Sequence, residues 1–229
     1  MGKNHLKRLA APRTWHIRRK GLKFISKTIP GLHNLDMSIT LNTLVKEILN
    51  YANTTREVKK ILSNNGIKID GKFRKDSHFT VGIFDTIMFL VTNEYFRVML
   101  NKKGKIDLAK ITKEEAFLKP CKIIGKTMVR GKLQLNLYDG RNIFVTNGSF
   151  KVGDTVLLSL PEQKIIKHLK IDKKSMIFLI GGKHIGDIGS VEDIVEEKII
   201  YKNLKGDLIE TSKKFAFVIG DNKLSISLG

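Results

Sequence analysis

The sequence is poor in the residues that build disulfide and metal centres. One cysteine, Cys121, stands among 229 residues, so no disulfide framework is possible. The six histidines are scattered, with no close Cys/His pairs, which argues against a structural zinc site. A lone thiol fits a reducing compartment, and the expected setting is the cytoplasm. Aromatic residues make up 7% of the chain and apolar residues 41%, a balance that suits several small β-rich or α+β modules better than one large α/β enzyme. No uninterrupted apolar run approaches the ~20 residues needed to cross a bilayer, and the beginning of the chain lacks the apolar block of a signal peptide. A soluble, unexported protein without a membrane partner is expected. Acidic residues are scarce as well: 22 Asp+Glu face 42 Lys+Arg, and none falls in residues 1–30.

The resulting formal charge of +20 exceeds what solubility requires and implies a polyanionic partner. Its distribution is graded. Residues 1–38 hold nine basic residues against one acid, 39–104 eleven against six, 105–172 thirteen against seven and 173–229 nine against eight. A single charge run reads as a solvated face, but an excess sustained over three successive regions is harder to explain that way. The same boundaries divide the chain as the patterning does: a basic extension, a small helical and β module, a central β domain and a final β domain.

Residues 1–30 combine the missing acids with two prolines and no sustained helical or alternating period, so the segment has little means of folding alone. It reads as an arm that orders on its partner. Lys3, Lys7, Arg8, Arg13, Arg18, Arg19, Lys20 and Lys23 are placed to contact phosphates, and Trp15, His16 and Phe24 to stack on unpaired bases or wedge into grooves. An organelle transit peptide is the competing reading, but such peptides are amphipathic and Ser-rich, and this stretch is neither.

From Leu41 to Ala52 the apolar positions Leu41, Leu44, Val45, Ile48, Leu49 and Ala52 recur at helical spacing. A second helix follows, opened by Thr54 and Glu57 in capping-box relation, with Val58, Ile61 and Leu62 inward and Gly66 placed to end it in a left-handed turn. Arg56, Lys59, Lys60 and Ser63 then point outward. Next comes IKIDGKFRKD, where Ile67 and Ile69 flank Lys68 and Asp70-Gly71 marks a tight turn before Lys72, Phe73, Arg74 and Lys75. Helix and turn together are expected to form one basic surface. Point charges and forked guanidinium donors on a rigid frame suit the shape and backbone of folded RNA more than base edges.

The stretch TTREVKKILSNNGIKIDGKFRKDSHFTV resembles the helix-helix-turn-strand RNA-binding module shared by bacterial ribosomal protein four, some pseudouridine synthases and bacterial tyrosyl-tRNA synthetases. HLKRLAAP, EEAFLKPCKIIGK, LNLYDGRNI, GGKHIGDIG and FVIGDNKLSISL, in that order, resemble the e-type family four of archaeal and eukaryotic small-subunit ribosomal proteins over nearly the whole chain. That resemblance implies a mostly β, α+β architecture: the basic extension (1–38), the RNA-binding module (39–104), a central antiparallel β domain (105–172) and an SH3-like KOW barrel (173–229). It implies a structural protein that binds small-subunit ribosomal RNA beside neighbouring ribosomal proteins, with no catalysis, no cofactor, no metal and no homo-oligomer. An RNA-modifying enzyme and a KOW-type transcription or translation factor are the rival readings.

In the central region, LQLNLYDGRNIFV places Leu133, Leu135 and Leu137 on one face, Gln134 and Asn136 on the other, and turns at Asp139-Gly140, which predicts a hairpin. KVGDTVLLSLP and KIIKHLKI continue as strands. IIGKT at 123–127 ends like a phosphate-binding loop, but the glycine required five residues before the Gly-Lys pair is Pro120, which has no N–H to offer. His168 has no carboxylate or cysteine at ligand spacing and reads as a surface or capping histidine.

The block GGKHIGDIG, residues 181–189, spaces Gly182, Gly186 and Gly189 by four and three, which is not the dinucleotide fingerprint. The following SVEDIVEEKIIYKN can be drawn as one helix or as two strands. Strands are the more economical reading, because the next segments are plainly strand-like. The glycines then serve a tight turn with close backbone approach. Lys183 and His184 form its exposed tip, with Lys183 a candidate RNA contact and an ordinary polar turn the alternative.

Overall fold

The computed structural model describes residues 5–145, 149–221 and 224–227, so Lys3 lies outside the described residues. The chain is mostly β, its strands gathered into antiparallel sheets with few helical turns. It divides into two compact units, one of residues 1–99 with 105–117 and one of residues 100–104 with 118–229.

In the first unit, the helical segment opens at Leu41–Thr43, where the Thr40 hydroxyl accepts from the Thr43 N–H at 3.2 Å. It continues as a π-helix over Leu44–Ile48 and stops there, four residues short of the expected end. Asn50 takes a left-handed φ of 57°, and the Tyr51 N–H turns back to the Val45 carbonyl at 3.0 Å, closing the helix early. The second helix, Thr55–Ser63, starts at the expected capping box. Thr54 Oγ1 accepts from the Glu57 N–H, and Glu57 returns its carboxylate to the Thr54 hydroxyl and the Asn53 N–H, both at 2.8 Å. Val58 and Leu62 are buried and Ile61 half-buried. The left-handed residue after this helix is Asn65 (φ 54°), not Gly66. Gly66 instead lies against Ile61, whose carbonyl oxygen is 3.0 Å from where a β-carbon would sit.

The turn at Asp70 and Gly71 (φ 50° and 75°) joins Ile67–Ile69 to Lys72–Phe73. These strands edge a five-stranded sheet whose order continues with Thr86–Phe89, Glu94–Leu100 and Ile106–Lys110. The N-terminal residues belong to this unit and are not a free arm. Leu6–Lys7 pairs with Phe24–Ile25, the Thr14 carbonyl accepts from Ile106, and the Ile29 N–H donates to His78. Trp15 is 1% exposed and its indole N–H donates to the Ser38 carbonyl at 2.6 Å. A segment without internal periodicity is thus ordered by contacts far along the chain.

The second unit contains two five-stranded antiparallel sheets. The first runs in the order Asn142–Val145, Lys132–Leu137, Leu118–Val129, Thr155–Ser159, Ile165–Leu169. The expected hairpin forms, with Leu133 opposite Val145 and Leu135 opposite Ile143, and these leucines enter a core with Cys121, Ile123, Val156 and Leu158. The Gly-Lys-Thr of the apparent phosphate loop is mid-strand, next to a register shift between Ile123 and Gly125. His168 is held by Asp154, the Nε2 to Oδ2 distance being 2.7 Å, and Asp154 also accepts from the Lys151 and Ile171 N–H groups. It is a loop-fixing pair.

The second sheet runs Leu208–Ser212, Lys198–Asn203, Ile188–Val195, Met176–Leu179, Ala216–Gly220. The undecided stretch after the glycine block is therefore two strands, turned at Glu196 (φ 51°). A methyl group at Gly189 would collide with the Lys202 carbonyl oxygen, and one at Gly186, where φ is 81°, with the backbone of Asn101. The block is a turn built for close backbone approach.

Candidate nucleic-acid interface

On helix Thr55–Ser63 the cations Arg56, Lys59 and Lys60 are all exposed, opposite Val58 and Leu62. The helix's one acid, Glu57, turns into the cap. Its carboxyl is held below the ordinary value, first by the Asn53 N–H and then by the Thr54 hydroxyl. The outward face therefore carries positive charge with little internal compensation.

On the following hairpin, Lys72 and Lys75 are exposed and Lys68 half-exposed, with the Lys68 ammonium 4.5 Å from the centre of the Phe73 ring. Phe73 itself is exposed, a stacking candidate that reading for charge alone passed over. Arg74 is half-buried and its guanidinium lies 4.3 Å over Phe79, which turns its plane to the protein.

The N-terminal residues split by role. Lys7, Arg13, Arg18, Lys20 and Lys23 are exposed. Arg8 is buried, its guanidinium forked onto Glu47 at 2.7 and 2.8 Å and donating also to the Arg18 and Leu22 carbonyls. It stitches the segment together and has no face for phosphate. Arg19 likewise donates to the Ala11 and Pro12 carbonyls, both at 2.6 Å. Trp15 cannot stack on a base, because its ring is enclosed. Phe24 is half-exposed beside His5 and Lys23 and keeps the stacking role open.

Arg18, Lys20 and His16 line a polar cleft of about 710 Å³ together with Lys46, Lys105 and Asn53. Lys46 and Lys105 were invisible as partners of the arm, because only the fold brings positions 18, 46 and 105 together. In the second unit Lys183 is exposed at the tip of the glycine turn, and His184 is half-exposed, 3.6 Å from Asp187. Among the described residues no three His, Cys, Asp or Glu side chains gather as a metal site, and no helix is long and apolar enough to cross a membrane.

Two family models match the chain, the RS4NT (NUC023) domain over residues 1–36 and Ribosomal family S4e over residues 92–165. The small ribosomal subunit protein eS4 of Methanocella arvoryzae is 40% identical over 97% of this chain and 97% of its own. The chain belongs to the S4e family. The eS4 of Methanocaldococcus jannaschii is 38% identical over 99% of this chain and 98% of its own. The crystal structure of the 30S ribosomal protein S4e from Thermoplasma acidophilum superposes with a TM-score of 0.72 at 31% identity, covering 83% of this chain and 98% of that one. These S4e relatives are named as ribosomal proteins and not as enzymes.

Proposed function

We propose that this chain is a structural constituent of the small ribosomal subunit that binds ribosomal RNA through phosphate contacts and shape. The observation that carries the reading is the outward face of helix Thr55–Ser63: three exposed cations on a buried apolar frame, with the helix's acid folded into its cap. Residues 39–104 act as the RNA-binding module, with the helix and the Lys72–Lys75 hairpin forming one basic surface, and the exposed cations around the 710 Å³ cleft extend it. The central β domain is the part that carries the sheet of residues 118–169, and residues 173–229, with their near-balanced charge, form a KOW-type barrel that faces proteins as much as RNA. The protein works in the cytoplasm on the ribosome, without a cofactor, as one copy per subunit.

Sedimentation of ribosomes from the source cells through a high-salt cushion tests this directly. The chain is expected to travel stoichiometrically with the small subunit; salt-labile, substoichiometric association points instead to a transient factor. Binding of the free protein to small-subunit RNA should weaken steeply with salt, by roughly 0.7 to 0.9 in log affinity per log salt for each phosphate neutralised. A flat salt response contradicts the reading.

A further inference from the structure

The outer face of the central hairpin carries a different chemistry from the basic helix. In antiparallel sheets residues directly opposite share a face. Thr127, Gln134 and Phe144 form one row across three strands, and Gly125, Asn136 and Asn142 the next. The leucines of the same strands point the other way, into the core. The side chains on this face are already ordered: Gln134 Nε2 donates to Asn136 Oδ1 at 2.9 Å, and Asn136 Nδ2 donates to Thr127 Oγ1 at 3.1 Å. Gly125 adds no side chain to this face, and the Asn136 side-chain amide nitrogen lies 3.5 Å from where a β-carbon would sit.

Phe144 is 56% exposed on the edge strand of this array, opposite Gln134 and two residues from Asn142. A half-buried strand favours polar residues at outward positions, and this outward aromatic ring offers a stacking surface beside amides that can meet the edge of a bound group. The surrounding charge indicates which kind. Between Leu118 and Val145 the one acid is Asp139, and it is buried against Lys119 and Arg141 at 3.1 Å each. Lys132 lies on the same face as Gln134, two residues along, and Arg130 is exposed at the adjoining turn. The face offers stacking, paired amide donors and acceptors, and a cationic margin without a carboxylate.

We infer that this sheet face binds unpaired RNA nucleotides, with a base stacked on Phe144, its edge met by the Gln134, Asn136 and Asn142 amides, and its phosphate near Lys132 and Arg130. Single-stranded RNA is recognised in this way, by stacking on aromatic side chains and hydrogen bonding to exposed base edges. The inference rests on the proposed RNA-binding function, but uses a surface separate in chemistry from the helix: one reads backbone and shape, the other bases.

The test uses the full chain, a single-stranded RNA dodecamer carrying 4-thiouridine and an RNA duplex. Photocrosslinking to the dodecamer should fall on the peptide containing Phe144. Phe144→Ala should weaken dodecamer binding about fivefold to hundredfold, the range that stacking of one base supplies, and leave duplex affinity unchanged. Phe144→Trp should restore dodecamer binding, which separates stacking from any effect of folding. The variant Arg56→Glu/Lys59→Glu/Lys60→Glu should show the reverse pattern, with duplex binding lost first. Unchanged dodecamer affinity in Phe144→Ala, or crosslinks confined to other peptides, overturns the inference while duplex binding keeps the proposed function standing. Failure of the unaltered chain to bind either RNA overturns both.

Discussion

Two lysine-rich stretches, TREVKKILS in the first unit and LKPCKIIGKTMV in the second, look alike in composition and are used in opposite ways. On the helix, Arg56, Lys59 and Lys60 all face solvent. On the strand, Lys119 is 1% exposed and paired with Asp139 at 3.1 Å, while Lys122 is buried with its ammonium donating to the carbonyls of Lys213, Lys214 and Ala216 at 3.1, 3.0 and 2.6 Å. The helix turns its cations to solvent; the strand uses Lys119 and Lys122 as internal ties. A formal charge of +20 therefore overstates the charge available to RNA, and a basic residue's role depends on the element that carries it.

Lys119→Ala is the strongest way to break this contrast. It leaves the buried Asp139 carboxylate with Arg141 as its remaining cation and removes one charge-assisted contact, so a loss of about 2 kcal/mol is expected in urea unfolding. Thr54→Ala should remove the hydroxyl of the capping box and cost about 1 kcal/mol in the same measurement. Converting Arg56, Lys59 and Lys60 to glutamate should each change stability by no more than about 0.5 kcal/mol, although RNA affinity and its salt slope both fall. An effect of Lys119→Ala no larger than that of the helix variants would remove the distinction.

A pH dependence tests the strand's side of the contrast. Burial pulls the Lys122 ammonium down to about 8 from 10.5, with the Lys213 charge contributing next. Between those values the unfolded chain binds more protons than the folded one, so this group's contribution to stability rises with pH across the window and is flat below about 8. Urea unfolding at pH 8 and pH 10 should show a larger gain for the unaltered chain than for Lys122→Met. Equal gains would mean that Lys122 titrates normally.

Much of the fold was legible where a local rule sufficed. The capping box at Thr54 and Glu57, the Asp139-Gly140 hairpin and the glycine turn at 181–189 each depend on residues within a few positions of one another. What escaped depended on distant partners. Arg8 finds Glu47, Trp15 finds Ser38, and Lys122 finds the carbonyls near position 214, and no period or motif announces such pairings. The early stop at Ile48 escaped for another reason: the apolar spacing continues to Ala52, which is buried beyond the helix end without being helical. For the candidate site the exposed cations were readable, whereas Phe73, Lys46, Lys105 and the Phe144 face needed the sheet registers and the cleft to become visible.

Trp15 gives the molecule a built-in optical label. It is the chain's one tryptophan, and it is enclosed in the first unit with its indole N–H on the Ser38 carbonyl. Emission excited at the red edge of protein absorbance therefore comes from that unit alone, while far-ultraviolet dichroism sums over both. Any release of the N-terminal segment, whether by denaturant or by RNA, exposes the indole to water and reddens its emission without waiting for the sheets to melt.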